Sequence, residues 1–152
     1  RSRGLGDVYK RQPSAVLALK ATVHTNSRSI AADDFFTGMF ETALEEDEII
    51  ESISFSKPTT ANYVKFPNPA SRYAMVGVFV AKFGEGVRVA VTGAGEGGVF
   101  RHKEMETALS SNYSSDSLSS LNIASDGLIS DLHASAEYRA NLIKEMTKRA
   151  VV

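Results

Sequence analysis

The chain has 152 residues, no cysteine, and 17 Lys plus Arg against 18 Asp plus Glu, for a formal net charge of −1. The lack of cysteine excludes disulfides, thiolate metal ligands and iron–sulfur ligation within this chain, and the near-zero charge argues against nucleic-acid binding. With 43% hydrophobic residues the chain can bury the core of one domain. Its most apolar uncharged stretch, residues 73–81, is far shorter than the ~20 residues of a membrane span.

The N-terminal residues 1–12 are basic, contain glycine and show no hydrophobic period. We therefore treat residues 1–14 as a disordered segment or one derived from cloning or sequencing. They contain no apolar signal sequence, which favours a cytoplasmic location. Apolar and β-branched residues predict a strand over residues 15–24, and a short returning strand follows over residues 28–31. The acidic run of residues 41–48 contains good helix formers but is too short for an independent helix.

Three further segments predict the strands of one antiparallel sheet. Residues 49–56 largely alternate apolar side chains with serines, as a half-buried strand does. Residues 74–83 are the most apolar segment, and the turn at residues 84–86 connects them to a returning strand over residues 87–92. Between the first two of these segments, residues 63–72 contain two prolines and an asparagine, which predict a loop.

The C-terminal half changes from strand patterns to helix patterns. Residues 102–109 predict a helix, and Ser135 is a suitable N-cap for the strongest helix, over residues 134–151. Nine serines in residues 110–130 leave two interpretations, a disordered tract or, as we favour, short capped helices. Because strands precede helices, we predict an α+β fold in which an antiparallel sheet of three to four strands packs against C-terminal helices as a two-layer sandwich.

Residues 93–98 read G-x-G-x-x-G after a predicted strand, a pattern that binds a dinucleotide pyrophosphate when it opens a helix. Here the strand belongs to a hairpin and no clear βαβ unit follows, so we interpret the glycines as a connection out of the sheet. His24, His102 and His133 are too far apart in sequence for a recognised metal motif, so we predict no metal site. No nucleophile elbow is present, and we assign no catalytic residue.

One proline-containing segment carries the most interesting binding candidates. Tyr63 and Phe66 are aromatic and flank the cation Lys65, and Arg72 and Tyr73 follow beyond two prolines. A stiff loop beside a sheet can present an aromatic ring and a cation to a planar or anionic ligand. The alternative, which these residues alone favour, is an ordinary surface loop with solvated charges.

An ordered series of short matches extends from about residue 15 to the C-terminus. It includes residues 34–38 (DFFTG), 63–74 (YVKFPNPASRYA), 93–101 (GAGEGGVFR) and 135–139 (SAEYR). In this order and spacing, the chain resembles the C-terminal domain of the flavin-binding medium subunit of the molybdenum hydroxylases. That family includes the carbon monoxide dehydrogenase and xanthine dehydrogenase relatives, all of them oxidoreductases.

The resemblance implies a domain organisation and a cofactor. Residues 15–31 would be the remnant hairpin of an upstream FAD domain or linker, and residues 32–152 the flavoprotein C-terminal α+β domain. FAD would be bound mainly by the upstream domain, which we expect to be absent here. Lys65 and the loop that follows it would lie towards the isoalloxazine edge. The candidate FAD contacts are therefore Tyr63, Lys65, Phe66, Arg72 and Tyr73.

The resemblance also implies a functional setting. The chain would help to position FAD and support electron transfer in an enzyme that also contains a molybdenum-cofactor large subunit and an iron–sulfur small subunit. We do not expect it to be catalytic alone. The alternative is a non-catalytic assembly module that docks the FAD domain and the partner subunits without touching flavin, and that could form a homodimer when isolated. A third hypothesis is a free-standing small-molecule binder that uses Tyr63, Lys65 and Arg72.

Overall fold

The computed structural model describes residues 12–151. Residues 12–14, predicted as part of a disordered or cloning-derived segment, are helical, and the rest of that prediction lies outside the described residues. The first third of the described chain contains α1 (Gln12–Ala18), β1 (Thr22–Thr25), β2 (Ser29–Ala31), α2 (Ala32–Phe35), β3 (Phe36–Gly38), β4 (Glu41–Thr42) and β5 (Ile50–Ser54). The strands form a three-stranded antiparallel sheet in the order β2-β1-β5 and a small β3-β4 hairpin. We call the part from β1 to β5 the hairpin module.

The rest of the described chain contains β6 (Thr60–Pro67), β7 (Ala74–Phe83), β8 (Gly86–Gly95), β9 (Gly98–Arg101), α3 (Lys103–Ser111), a 3-10 turn (Ser115–Leu118) and α4 (Ala136–Ala150). The four strands form one antiparallel sheet in chain order. Alternate valines of β7 and β8 pack beneath α3 and α4, and Met105, Leu109, Ile143 and Met146 are the main helix contributions to that core. This arrangement confirms the predicted α+β fold with a sheet against C-terminal helices.

The opposite face of the four-stranded sheet is partly covered by α1, a layer that the two-layer prediction did not include. Val16, Leu17 and Ala18 pack there against Ala81 and Ala90. The strand predicted over residues 15–24 is therefore wrong in its first half, since the small and apolar residues that suggested a strand form a helix with one buried side. Its second half forms the hairpin predicted with residues 28–31, and its assignment as a remnant of an upstream domain stays a prediction.

Two further predictions, one of a strand partner and one of a loop, need correction. Residues 49–56 contain β5, but it pairs with β1 and not with the larger sheet. An alternating pattern specifies two faces of a strand and not its partner, which is why the sequence pattern indicated the wrong sheet. Residues 63–72, predicted as a loop, contain most of β6, and Pro67 is its last residue. Because β6 is an edge strand, a terminal proline costs it no ladder hydrogen bond.

The serine-rich residues 110–130 contain one 3-10 turn, in which the Ser114 hydroxyl accepts a hydrogen bond from the Asp116 backbone N–H. Outside that turn they are irregular, so the predicted series of short helices is reduced to one. Ser135 caps α4 as predicted, its hydroxyl accepting from the Tyr138 N–H. Tyr138 itself is exposed, and the buried face of the helix carries Arg139.

Charged side chains fix the hairpin module in place. Asp33 of α2 accepts hydrogen bonds from Arg88 at 2.8 Å and from Arg101 at 3.0 Å, which ties it to β8 and β9. Arg101 also binds Glu106 of α3 at 2.6 Å. Burial raises the pKa of Asp33, but the contacts with the guanidinium groups of Arg101 and Arg88 outweigh this effect and hold that pKa below its ordinary value. Within the module, Glu48 accepts from Arg28 at 2.7 Å and joins the β1-β2 turn to the segment before β5.

Candidate functional site

The predicted binding residues of β6 alternate between the two faces of the sheet. Tyr63 and Lys65 point to the face away from α3 and α4, whereas Val64 and Phe66 join the core beneath the helices. Phe66 packs edge-to-face on Tyr138 of α4, with 6.3 Å between the ring centroids. Phe66 is therefore not on the same face as Lys65, and its role as a flavin contact stays a prediction.

Lys65 is held against the loop that follows β6. Its Nζ donates a hydrogen bond to the Arg72 carbonyl oxygen at 3.0 Å. Arg72 has φ +60°, the left-handed region, and its side chain is exposed like that of Tyr73. The structure thus brings Lys65 and the backbone at Arg72 together.

Lys65, Gly77 and Thr92 form one cross-strand row on this face, because Lys65 pairs with Gly77 and Gly77 pairs with Thr92. A Cβ at position 77 would collide with the Tyr63 hydroxyl and lie 2.9 Å from Thr92 Oγ1. Glycine at 77 therefore leaves room for the Tyr63 ring to lean across the sheet towards Thr92. The sequence pattern did not reveal this relation, because a glycine in a strand does not say which side chain occupies the space beside it.

An apolar pocket of about 360 Å³ opens at the end of this row, between the hairpin module and the sheet. Phe36 of β3, Ile50 and Ile53 of β5 and Val16 of α1 contribute apolar wall, and Thr92 lies on the sheet side. Sequence reasoning missed this pocket, since its walls come from five separated parts of the chain. We call it the module pocket.

Pockets elsewhere in the described chain are more polar or lie beside charged groups that already have partners. The one next to the glycine motif, about 550 Å³, is lined by Arg101, Lys103, Glu104 and Asp126 among others. Arg101 is paired with both Glu106 and Asp33, so its charge is compensated within the fold. An apolar wall with few polar groups is the more typical lining of a small-molecule site, which favours the module pocket.

The glycine motif is the β8-β9 hairpin. Gly93 and Gly95 lie in β8, Gly98 begins β9, and no helix opens at the motif. Gly93 has φ +79°, and a Cβ there would lie 2.5 Å from the Ala74 carbonyl oxygen. The motif is therefore not a dinucleotide loop that opens a helix, but the predicted connection out of the sheet is wrong, since the glycines join two neighbouring strands of the same sheet.

Two of the three histidines, His24 and His102, make hydrogen bonds within the fold. His24 bonds the hydroxyls of Ser29 and Ser54, and His102 accepts from the Met105 N–H at the start of α3. Burial lowers the pKa of His102. Within residues 12–151 no group of three His, Asp or Glu side chains is arranged to hold a metal ion. None of the helices described within residues 12–151 combines the length and the hydrophobicity that a bilayer span requires.

Two solved structures have the same fold. Quinoline 2-oxidoreductase from Pseudomonas putida 86 superposes with a TM-score of 0.75 at 23% identity, covering 96% of this chain and 56% of that one. Reconstituted CO dehydrogenase from Oligotropha carboxidovorans gives 0.76 at 22% identity, with the same coverage. At this level of identity the likeness concerns the fold.

Sequence similarity gives the family. The nicotine 6-hydroxylase medium subunit of Paenarthrobacter nicotinovorans is 34% identical over 162 aligned positions, which cover 97% of this chain. No protein-family model matches the chain. With this relative and the fold, the chain belongs to the medium subunits of the molybdenum hydroxylases, confirming the resemblance read from the sequence. It spans about half of the curated relative it matches, 56% of that protein.

Proposed function

We propose that this chain is the C-terminal part of a flavoprotein subunit, and that it helps to position FAD for electron transfer within a multi-subunit molybdenum hydroxylase. FAD would supply the redox chemistry by taking up electrons and passing them on. The task of this chain would be to cover the flavin ring, to exclude water from it and to set the charge near it.

The observation that carries the proposal is the module pocket beside the Lys65–Gly77–Thr92 row. Its apolar wall suits the faces of a planar ring, and its volume of about 360 Å³ is within the ordinary range of ligand pockets. Lys65 does not line the pocket, but it lies on the same sheet face two strands away from Thr92, and a cation there would favour added negative charge on a ring that extends from the pocket over this face. The residues present therefore fit a flavin ring.

Narrowing the module pocket tests this proposal. Ile53 lines the pocket and is 39% exposed, so Ile53→Trp adds bulk there without overfilling the core. We expect the complete subunit with Ile53→Trp to bind FAD at least about tenfold more weakly, since tenfold corresponds to only about 1.4 kcal/mol. Ile49→Trp, outside the pocket at 70% exposure, is the matched control and should bind FAD normally.

The same experiment separates the assembly alternative, which has its own structural support. Phe40 and Ile49 are 75% and 70% exposed in the hairpin module, and exposed apolar side chains of this size are typical of protein contacts. If Ile53→Trp binds FAD normally while either tryptophan variant loses its partner subunits on purification, the chain is an assembly module and the flavin proposal is wrong.

The charge of Lys65 gives a second prediction. In the complete subunit, Lys65→Ala should lower the two-electron midpoint potential of the flavin by roughly 20–30 mV, because 30 mV corresponds to about 1.4 kcal/mol, the scale of one nearby charge. Lys65→Arg should restore most of the potential. Lys57→Ala removes an exposed lysine before β6 and serves as the control. An unchanged potential in Lys65→Ala, measured by spectroelectrochemical titration, would contradict a role for this cation.

A further inference from the structure

Strand β5 is an edge strand whose five residues are all exposed. One side of it pairs with β1, and no strand within residues 12–151 pairs with the other side. Ile49 and Phe55 flank the strand and are 70% and 52% exposed, although both are large and apolar. Natural proteins blunt such edges with lysine, proline or a covering element, and β5 contains neither lysine nor proline. The edge is therefore a template for a further strand.

The charge around this edge defines the kind of partner that fits it. Residues 39–57 contain six acidic side chains and one basic side chain, Lys57. Glu46, Asp47 and Glu51 are exposed and make no ion pair within the described part of the chain. Two copies of this chain paired at β5 would bring an excess of acidic groups together, and like charges at an interface are costly. A different protein, with lysines or arginines beside apolar residues, complements the edge.

We propose that the free edge of β5 is a docking site at which a partner protein adds a strand. Apolar residues of that strand pack on Ile49 and Phe55, and its lysines or arginines lie beside the acidic groups. The backbone hydrogen bonds supply affinity and the alternating side chains supply specificity. The inference goes beyond the positioning of FAD, but it takes the candidate partners, the other subunits of the enzyme, from the proposed function. Neither Ile49 nor Phe55 lines the module pocket, so a ring there leaves them uncovered.

Hydrogen exchange of the β5 amides tests the added strand directly. By mass spectrometry, exchange over residues 50–54 should be at least about tenfold slower in the multi-subunit enzyme than in the free complete subunit, because edge N–H groups gain acceptors. Equal exchange in the two samples would overturn the proposal. Protection that rises with the concentration of the free subunit would assign the edge to a second copy, and strong protection in the dilute free subunit would assign it to another part of the same chain. Either result would also overturn the proposal.

Two substitutions test the side chains that hold the partner. Phe55→Lys should weaken the affinity of the complete subunit for its partner subunits at least about tenfold, as the loss of a buried aromatic anchor does. Glu51→Lys should weaken it about three- to tenfold and reduce its dependence on salt. Leu132→Lys and Glu96→Lys make comparable changes at exposed positions outside the hairpin module and should leave this affinity unchanged.

FAD binding by the same variants separates this inference from the proposed function. Phe55→Lys and Glu51→Lys should bind FAD as the parent does, because neither residue lines the module pocket. Unchanged partner affinity in both variants would overturn the docking site and leave the proposed function standing. A parent subunit that binds no FAD would overturn the proposed function itself, whatever the exchange of β5 shows.

Discussion

Replacing Arg139 with methionine is expected to destabilise the fold by about 3 kcal/mol. Arg139 lies on α4 and is only 3% exposed. Its guanidinium donates to the Met75 carbonyl at 2.8 Å, to the Gly93 carbonyl at 3.0 Å and to the Asp131 carboxylate at 2.8 Å. Methionine keeps much of the packing but leaves these acceptors without their donor. The loss should be smaller than for a fully buried ion pair, because Asp131 is partly exposed.

The measurement is the free energy of unfolding in urea, determined for Arg139→Met and for a matched control. Arg149→Met makes the same change at an exposed position of α4 and should shift the free energy of unfolding by no more than about 0.5 kcal/mol. A loss of less than about 1 kcal/mol in Arg139→Met would show that water replaces the guanidinium at these acceptors. The interpretation of Arg139 as the anchor between α4 and the sheet would then be wrong.

Replacing Gly93 with alanine should cost about 2–4 kcal/mol, from the left-handed backbone and from steric overlap together. Gly93 has φ +79°, and a Cβ would meet the Ala74 carbonyl oxygen at 2.5 Å and the Met75 carbonyl oxygen at 3.0 Å. Both atoms belong to the backbone of β7, which cannot move without disturbing the central pair of strands. The substitution should therefore lower the thermal unfolding midpoint sharply.

Gly97 provides the control from the same G-x-G-x-x-G motif. It lies in the β8-β9 turn, has no positive φ, and a Cβ added there would have no heavy atom within 4 Å apart from those of its chain neighbours. Gly97→Ala should change stability by less than about 1 kcal/mol. If both substitutions were equally harmless, the geometric explanation of the motif would fail. If Gly97→Ala alone weakened FAD binding, the motif would have a binding role that the fold does not suggest.

Strands β7 and β8 and helices α3 and α4 were predictable because their patterns are local. The alternating valines of β7 and β8 specify a buried face, and the glycine between them specifies the turn. Ser135 in front of a long amphipathic run marks the start of α4. By contrast, α1 and β6 depend on what they pack against. The run Val16-Leu17-Ala18 is equally suited to a strand, and the prolines that suggested a loop lie at the end of an edge strand and beyond it.

The sequence did not predict the candidate site, because none of the five predicted flavin contacts lines the module pocket, and their role stays a prediction. Family resemblance indicated Lys65, and the structure places it on an accessible face of the sheet. It could not show that Phe66 faces the helices, because the nearby prolines indicate a loop rather than a strand with two faces. The module pocket depends on β5 pairing with β1, a long-range choice that no local pattern encodes.

A structure of the complete subunit with FAD bound tests the central claim most directly. The proposal predicts that the isoalloxazine ring lies within about 4 Å of side chains that line the module pocket, among them Ile53 and Thr92. Lys65 should lie nearer to the ring than to the adenine. A flavin ring that contacts no residue of the module pocket, with the pocket filled instead by side chains of another domain or subunit, would contradict the account and favour the assembly module.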